Sequence, residues 1–203
     1  MKNKTLEQFT IETASKSPTP GGGGVSGLVG SLAASLSQMV CNLTIGKEKY
    51  LMYTSELETI KREVEILRIN LLDCVSKDAE AFLPLSKVYA LPKDSEGYQE
   101  KMEECLKKAA EPPYMILKYC ARIVDLDERL AQIGSKLSVS DAGTSVMLAH
   151  GAMYGAFLNI KVNTRLMKDK DYADTLNSEA VKILDEYSVK ALNVYDDVCK
   201  RLS

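Results

Sequence analysis

Two long segments of this chain carry no Asp, Glu, Lys or Arg and consist largely of small residues. The first lies between Lys16 and Lys47, and the second runs from Ala142 to Ile160. The second half of the first segment is long enough to cross a membrane as a helix, but its Ser, Gly and Ala content favours a buried, closely packed helix. Because two nearly uncharged helices carry more apolar surface than a lone bundle covers, we expect a homodimer.

Helical periodicity dominates the remaining sequence. Between about Thr54 and Leu91, apolar residues recur at steps of three, four or seven, and no alternating segment is bounded by hairpin turns. We therefore predict an all-α fold over residues 1–203, a single-domain antiparallel bundle of about six to eight helices. The predicted helices cover about Leu6–Ser15, Val25–Ile45, Thr54–Leu91, Tyr98–Ala110, Tyr114–Ile133, Val139–Lys168 and Tyr172–Leu202, with Pro112-Pro113 breaking or bending the chain.

Composition excludes several classes of function. The balance of 26 Lys plus Arg against 28 Asp plus Glu gives no basic surface for nucleic acid. Five cysteines without a CxxC pair predict buried thiols in a reducing cytoplasm, and because an amphipathic segment follows the first residues directly, we expect no secretory signal and a cytoplasmic protein. The single histidine, His150, has no metal-ligating neighbour at a suitable spacing, so we expect a core histidine and no metal or cofactor. Neither a P-loop nor a GxSxG motif is present.

A run of four glycines, Gly21 to Gly24, follows Pro18-Thr19-Pro20 and precedes the first charge-free helix. Glycines allow close approach of the backbone to another group, and the free N–H groups at a helix start favour anionic or carbonyl-bearing ligands. This pattern predicts a ligand-binding loop. A tight helix entry without a ligand explains the same residues equally well.

Asp78 stands where the apolar stripe of the third predicted helix expects an apolar residue, seven positions after Leu71 and four before Phe82. Burial raises the pKa of a carboxyl by up to about 3–5 units, which suits a general acid or base near pH 7. A structural ion pair with a Lys or Arg of a facing helix is the alternative, and periodicity alone favours it slightly.

Other polar residues are weaker candidates. Asn159 and Asn163 lie four residues apart, so their amides can share one helix face and hold a planar heterocycle. Asp141 is placed for interaction with a helix start, although ligand contact stays open. Lys47, which follows Asn42 and Thr44 at the end of the glycine-rich helix, can meet a carboxylate-bearing ligand or simply reach solvent.

Four stretches together resemble one known family. They are Ser17-Pro18-Thr19-Pro20 with the four glycines, Asn42-Leu43-Thr44 to Tyr50, Asp78-Ala79-Glu80-Ala81-Phe82, and Ser140-Asp141 through Tyr154-Gly155-Ala156-Phe157-Leu158-Asn159-Ile160-Lys161-Val162-Asn163. In this order they make the chain similar to the cyclodeaminase/cyclohydrolase family, related to the C-terminal half of formiminotransferase-cyclodeaminase. Two positions depart from the family pattern, since Gly24 stands where relatives often have Ser, and Ser76 where some have a further Asp.

The resemblance implies an all-helical dimer that acts on one-carbon tetrahydrofolates without metal or nucleotide. It implies that Asp78 is catalytic, in agreement with the buried carboxylate and against the ion pair. Hydrolysis of 5,10-methenyltetrahydrofolate to 10-formyltetrahydrofolate is the first choice, because no fused formiminotransferase domain is seen. Release of ammonia from 5-formiminotetrahydrofolate is the second, and a non-catalytic folate-binding or scaffolding subunit is the alternative of another class. The predicted substrate contacts are Pro20, Gly21, Gly22, Gly23, Gly24, Ser26, Asn42, Thr44, Lys47, Asp141, Asn159 and Asn163.

Overall fold

The computed structural model describes residues 3–202. Within that range the chain forms six α-helices and one short 3₁₀ helix, and it contains no strand, which confirms the all-α prediction. The α-helices are α1 (Leu6–Thr13), α2 (Gly22–Thr44), α3 (Thr54–Tyr89), α4 (Tyr98–Ile133), α5 (Val139–Thr164) and α6 (Lys170–Leu202), and the 3₁₀ helix is Glu48–Tyr53.

Helices that follow one another in the bundle run antiparallel, as predicted. Along α2 and α3, Gly23 faces Asp78, whereas Ser31, two turns later, donates to the backbone oxygen of Arg68, earlier in α3. The same reversed order of contacts joins α2 to α5, α3 to α4, and α5 to α6. α2 thus lies between α3 and α5, and also packs on α4.

Small residues allow α2 to sit this deeply in the bundle. A Cβ atom added to Gly30 would lie 2.8 Å from Sγ of Cys120 and 3.0 Å from a methyl group of Leu71, so no larger side chain fits. By length and composition α2 is the one described helix that could span a membrane, but more than half of its most apolar part is buried in the protein. α2 is therefore a core helix, as its composition predicts.

The elements differ from the prediction at the start of α2, just after its end, and at the end of α5, which stops at Thr164 and not at Lys168. α2 begins at Gly22, so three of the four glycines form its first turn and are not a loop. Their low helix propensity is outweighed because they pack where side chains would collide with Asp78 and Asn159. The 3₁₀ helix Glu48–Tyr53 was not predicted at all.

The predicted break at Pro112-Pro113 is wrong. α4 runs through both prolines without interruption, and the two predicted helices are one helix of 36 residues. Both prolines are buried, and a side chain of α5 donates to one of the backbone oxygens that they leave without a partner, that of Ala109. Tertiary contacts therefore offset the local cost of a proline in a helix interior.

The cysteines agree with the prediction in part. No disulfide is present in the part of the chain that the structure describes, and Cys41, Cys74 and Cys120 are buried. Cys105 is half-buried and Cys199 is exposed, so the expectation that all five fill the core is wrong for Cys199.

Candidate active site

A small pocket lies where the start of α2 meets α3, α4 and α5. It has a volume of about 150 Å³ and opens to the surface. The glycines at the start of α2 form one wall of the pocket, and Asp78 projects from α3 into the pocket. The lining residues are Pro18, Thr19, Gly21, Gly22, Gly23, Asp78, Phe82, Ala109, Asn159, Val162 and Asn163.

Asp78 is the only acidic or basic side chain among those lining residues. Burial raises the pKa of its carboxyl to about 6, and the backbone N–H of Gly24, which donates to the carboxylate, lowers it in part. Among the described residues Asp78 forms no ion pair, so the structural alternative weighed from periodicity is absent here. The side chain therefore titrates close to neutral pH, where it can both take up and release a proton.

The glycine run gives Asp78 its position. A Cβ atom on Gly23 would lie 2.1 Å from Oδ1 of Asp78, and one on Gly22 would lie 3.0 Å from Nδ2 of Asn159. The carboxylate thus rests directly on the backbone of the first α2 turn. At this end of a helix the N–H groups have no intrahelical acceptor, which favours a negatively charged carboxylate.

Asn159 and Asn163 share the face of α5 that borders the pocket, as predicted. Nδ2 of Asn159 donates to the backbone oxygen of Gly155 at 2.8 Å, which leaves its Oδ1 as an acceptor near Gly22. Nδ2 of Asn163 donates to the backbone oxygens of Ala109 and Asn159. Asn159 is therefore the better placed of the two for a ligand contact.

The structure does not bring four of the predicted substrate contacts to this pocket. Asn42 lies about 28 Å from Gly23 along α2, and Asp141 lies about 27 Å from Asn159 along α5, because a helix rises 1.5 Å per residue. At that far end Thr44 accepts from the Ser135 backbone N–H and Lys47 donates to the Ser135 hydroxyl. Within one chain Asn42, Thr44, Lys47 and Asp141 therefore lie at the opposite end of the bundle from the pocket, and their contact with a substrate stays a prediction.

Three further predicted contacts, Pro20, Gly24 and Ser26, lie just behind the residues that line the pocket. Pro20 is buried against Gly24, and the Thr19–Pro20 peptide bond is cis. Ser26 donates its hydroxyl to the backbone oxygen of Gly22 at 2.7 Å. Neither side chain lines the pocket, so both support the glycine wall from outside it.

Sequence reasoning missed Asp127, a carboxylic acid that is fully buried between α2, α4 and α5. Its Oδ1 accepts a 2.7 Å hydrogen bond from the Ser37 hydroxyl, which lies 2.9 Å from the Ser145 hydroxyl. Burial raises the pKa of Asp127 to about 7, and the two serines lower it in part. The signal was available, because Asp127 interrupts the apolar spacing of α4 between Val124 and Leu130 as Asp78 interrupts that of α3.

His150 is half-buried and packs edge-on against the Tyr154 ring at 5.0 Å. Its Nε2 is buried and has no hydrogen-bond partner among the described residues. The expectation of a core histidine therefore holds only in part, because the ring is half-buried and one nitrogen is unpaired. Burial lowers the pKa of His150 and favours the neutral ring. Over residues 3–202, no cluster of three or more His, Cys, Asp or Glu side chains is arranged to hold a metal ion.

This arrangement provides one proton-transferring carboxylate, a wall of backbone N–H groups and one free amide oxygen. Such a site can polarise a small planar group, stabilise positive charge beside Asp78, and transfer a proton to or from a bound molecule. Phe82 and Val162 supply apolar contact on the remaining sides.

Comparisons with known proteins agree with this architecture over the whole chain. A methenyltetrahydrofolate cyclohydrolase from Methylorubrum extorquens is 34% identical over 99% of this chain and 99% of its own length. The crystal structure of a formiminotetrahydrofolate cyclodeaminase from Thermotoga maritima superposes with a TM-score of 0.84 at 31% identity, covering 98% of this chain and 96% of that one. The formimidoyltransferase-cyclodeaminase of Rattus norvegicus is 24% identical over 92% of this chain, which spans only 35% of that longer protein.

The family described as formiminotransferase-cyclodeaminase matches residues 5–182, and the match includes every residue that lines the pocket. Fold, pocket and comparisons lead to one conclusion, that the chain belongs to the formiminotransferase-cyclodeaminase family.

Proposed function

We propose that this protein hydrolyses 5,10-methenyltetrahydrofolate to 10-formyltetrahydrofolate, with Asp78 as the catalytic residue. The observation that carries the proposal is the buried Asp78 carboxyl, the one charged side chain that lines the pocket, and burial raises its pKa to about 6. A relative that is 34% identical over 99% of both lengths is a methenyltetrahydrofolate cyclohydrolase. The reaction needs water and proton transfer, and Asp78 is placed to transfer the proton.

The chemistry follows from the charge of the substrate. The methenyl carbon between N5 and N10 is cationic, and an ionised Asp78 beside it stabilises that charge. Asp78 takes a proton from water as the water oxygen bonds to this carbon, which gives a tetrahedral intermediate. The carbon–N5 bond then breaks, N5 receives a proton from Asp78, and the hydroxyl of the intermediate becomes the formyl oxygen with loss of one proton to solvent.

The pocket also suggests how the ring system is held. The backbone N–H groups of the first α2 turn and the free oxygen of Asn159 face the space next to Asp78. Together they match the alternating donors and acceptors of a reduced pterin. Phe82, which also lines the pocket, offers apolar contact to the ring.

Ammonia release from 5-formiminotetrahydrofolate is the second candidate, and the likeness to the Thermotoga maritima cyclodeaminase favours it. There N10 attacks the formimino carbon, and Asp78 carries the N10 proton to the departing amine. Both reactions use the same tetrahedral carbon, so they differ in whether water reaches it.

A homodimer completes the site in this proposal. At about 150 Å³ the pocket is smaller than the roughly 300–1,000 Å³ of common ligand sites, so one chain covers only the reacting end of the substrate. The adjoining faces of α2 and α5 are exposed, apolar and free of charge, with Leu32, Met39, Tyr154 and Leu158 on their surface. Such a face fits a second copy of itself about a two-fold axis.

That axis also gives a role to the residues at the far end of the bundle. A two-fold axis perpendicular to α2 and α5 sets each helix antiparallel to its copy, so the end of one α2 approaches the start of the other. In that arrangement Asn42, Lys47 and Asp141 border the pocket of the second copy, with Lys47 placed for the glutamate end of the folate, whereas Thr44 is fully buried in its own chain and lies behind them.

The experiment is a spectrophotometric assay with the purified chain. Loss of methenyltetrahydrofolate absorbance above the buffer rate identifies the hydrolase, and its appearance from formiminotetrahydrofolate with ammonia identifies the deaminase. Asp78→Asn should abolish either activity while helical content stays unchanged, and Asp94→Asn, at an exposed loop carboxylate, serves as the control. No turnover in either direction would favour a folate-binding or scaffolding subunit and refute the enzyme.

The dimer has a separate test. Leu158→Glu places a charge in the α2/α5 face, and Val189→Glu places one on α6, at a residue that is 62% exposed and outside that face. Sedimentation should show a dimer for the wild type and Val189→Glu, and a monomer for Leu158→Glu. A dimer that survives Leu158→Glu would exclude this face as the interface.

A further inference from the structure

Pro113 leaves a buried backbone oxygen of α4 without its usual donor. In a regular helix the N–H of residue 113 would bond to the carbonyl of Ala109, but proline has no N–H and its ring crowds that carbonyl. Ala109 is buried and lines the pocket. An unpaired carbonyl there would be destabilising, since water does not replace the lost bond in a buried wall.

The side chain of Asn163 takes the place of the missing N–H. Its Nδ2 lies 3.0 Å from the backbone oxygen of Ala109 and 2.9 Å from that of Asn159. Both N–H bonds of the amide are therefore used, and because the two acceptors are carbonyl oxygens, only the nitrogen can face them. Asn163 itself is 9% exposed, so this bridge is shielded from solvent.

We propose that Pro113 and Asn163 form a matched pair that positions the pocket, with Asn163 acting as a positioning residue and not as a hydrogen-bond donor to the substrate. Pro113 frees the Ala109 carbonyl, and Asn163 uses it to tie α4 to α5 at the level of Asn159. Because Ala109 and Asn159 both line the pocket, the bridge sets the separation of two of its walls. Its effect on turnover rests on the proposed function, whereas its effect on folding does not.

The neighbouring proline provides an internal comparison. Pro112 frees the carbonyl of Lys108 in the same way, but Lys108 is exposed and no described side chain donates to its backbone oxygen. Solvent can satisfy that carbonyl. The pairing with Asn163 is thus specific to Pro113.

The test is a double-mutant cycle on the full chain. Asn163→Ala is made in the wild type, in Pro113→Ala, which restores a backbone N–H for Ala109, and in Pro112→Ala as the control. Urea midpoints and kcat/KM for the active folate are measured for all six proteins. Asn163→Ala should lower the midpoint clearly in the wild type and in Pro112→Ala, and much less in Pro113→Ala. For kcat/KM the coupling with Pro113 should be about tenfold, as for residues in one contact network.

The outcomes separate the two parts of the proposal. Equal midpoint losses in all three backgrounds would refute the bridge. Recovery of the midpoint by Pro113→Ala without recovery of kcat/KM would mean that Asn163 binds the substrate directly, and would overturn its positioning role. If the wild type turned over neither folate, the proposed function would fail, and the midpoints would still decide whether Pro113 and Asn163 are coupled.

Discussion

Gly23→Ala should remove activity while the chain still folds, because the helix propensity gained from alanine offsets part of the cost of displacing Asp78. The new methyl carbon would lie 2.1 Å from Oδ1 of Asp78 and 2.6 Å from its Cγ, whereas Cβ contacts under 3.0 Å essentially do not occur. The carboxylate must therefore retreat by about 0.9 Å, the difference between these two distances. A displacement of about 1 Å at a reacting group costs roughly 100-fold in rate. Replacing a helical Gly by Ala stabilises a helix by roughly 0.5–1 kcal/mol, because the unfolded chain loses freedom.

Gly24→Ala is the matched control for this change. Its methyl carbon would lie 3.4 Å from Cβ of Pro20 and 3.8 Å from Oδ2 of Asp78, which are ordinary contacts. Steady-state absorbance assays with methenyltetrahydrofolate and urea unfolding of each variant give the two readouts. We expect a loss of about 100-fold in kcat for Gly23→Ala and a change within about threefold for Gly24→Ala. Wild-type kcat in a folded Gly23→Ala protein would refute the argument that the glycine wall positions Asp78.

Three further predictions concern charge and close packing. Burial raises the pKa of Asp78 to about 6, and the ionised carboxylate is the form that takes the proton from water. We therefore expect kcat to rise with pH through about 6 and then to level off. A kcat that falls over this range would mean that the protonated acid is the active form. Burial raises the pKa of Asp127 from its ordinary 3.8 to about 7, so the native chain retains a proton that the unfolded chain has lost, and stability should decrease as pH rises between these values. Urea unfolding should show about 3 kcal/mol less stability at pH 8 than at pH 5 from this group, a difference that Asp127→Asn removes. Gly155→Ala should destabilise the chain by about 1–2 kcal/mol, because the new Cβ would lie 2.3 Å from the Ser26 hydroxyl that bonds to Gly22. Gly151→Ala is the control, since its Cβ would have no neighbour within 4 Å. Equal thermal midpoints for the two variants would contradict this prediction.

The fold class and the central carboxylate could be predicted from local pattern. Apolar spacing in α3 has one period and one exception, and that exception is Asp78. A helix buries the same face along its whole length, so a polar residue on that face must lie in the interior whichever neighbour covers it. The same rule, applied to α4, would have found Asp127.

Positions along the helix axis could not be predicted in the same way. Asn42 and Asp141 belong to motifs of the family, but their distance from Asp78 depends on the lengths of α2 and α5 and on which ends meet. The donor to the carbonyl that Pro113 frees could not be predicted either, because Asn163 is 50 residues away from Pro113 in the sequence. Proline signals a break when its surroundings are unknown, and only the packed structure reveals a donor for the freed carbonyl.

The pocket draws its lining from Pro18 at one extreme and Asn163 at the other, and from four different helices. During synthesis on the ribosome, the residues that face Asp78 from α5 emerge long after Asp78 itself. Formation of the pocket therefore requires contacts of high sequence separation, which form late in folding because the intervening chain must first be ordered. Turnover consequently reports completed folding of α2 through α5, and it measures the native fraction of this chain more strictly than helical content does.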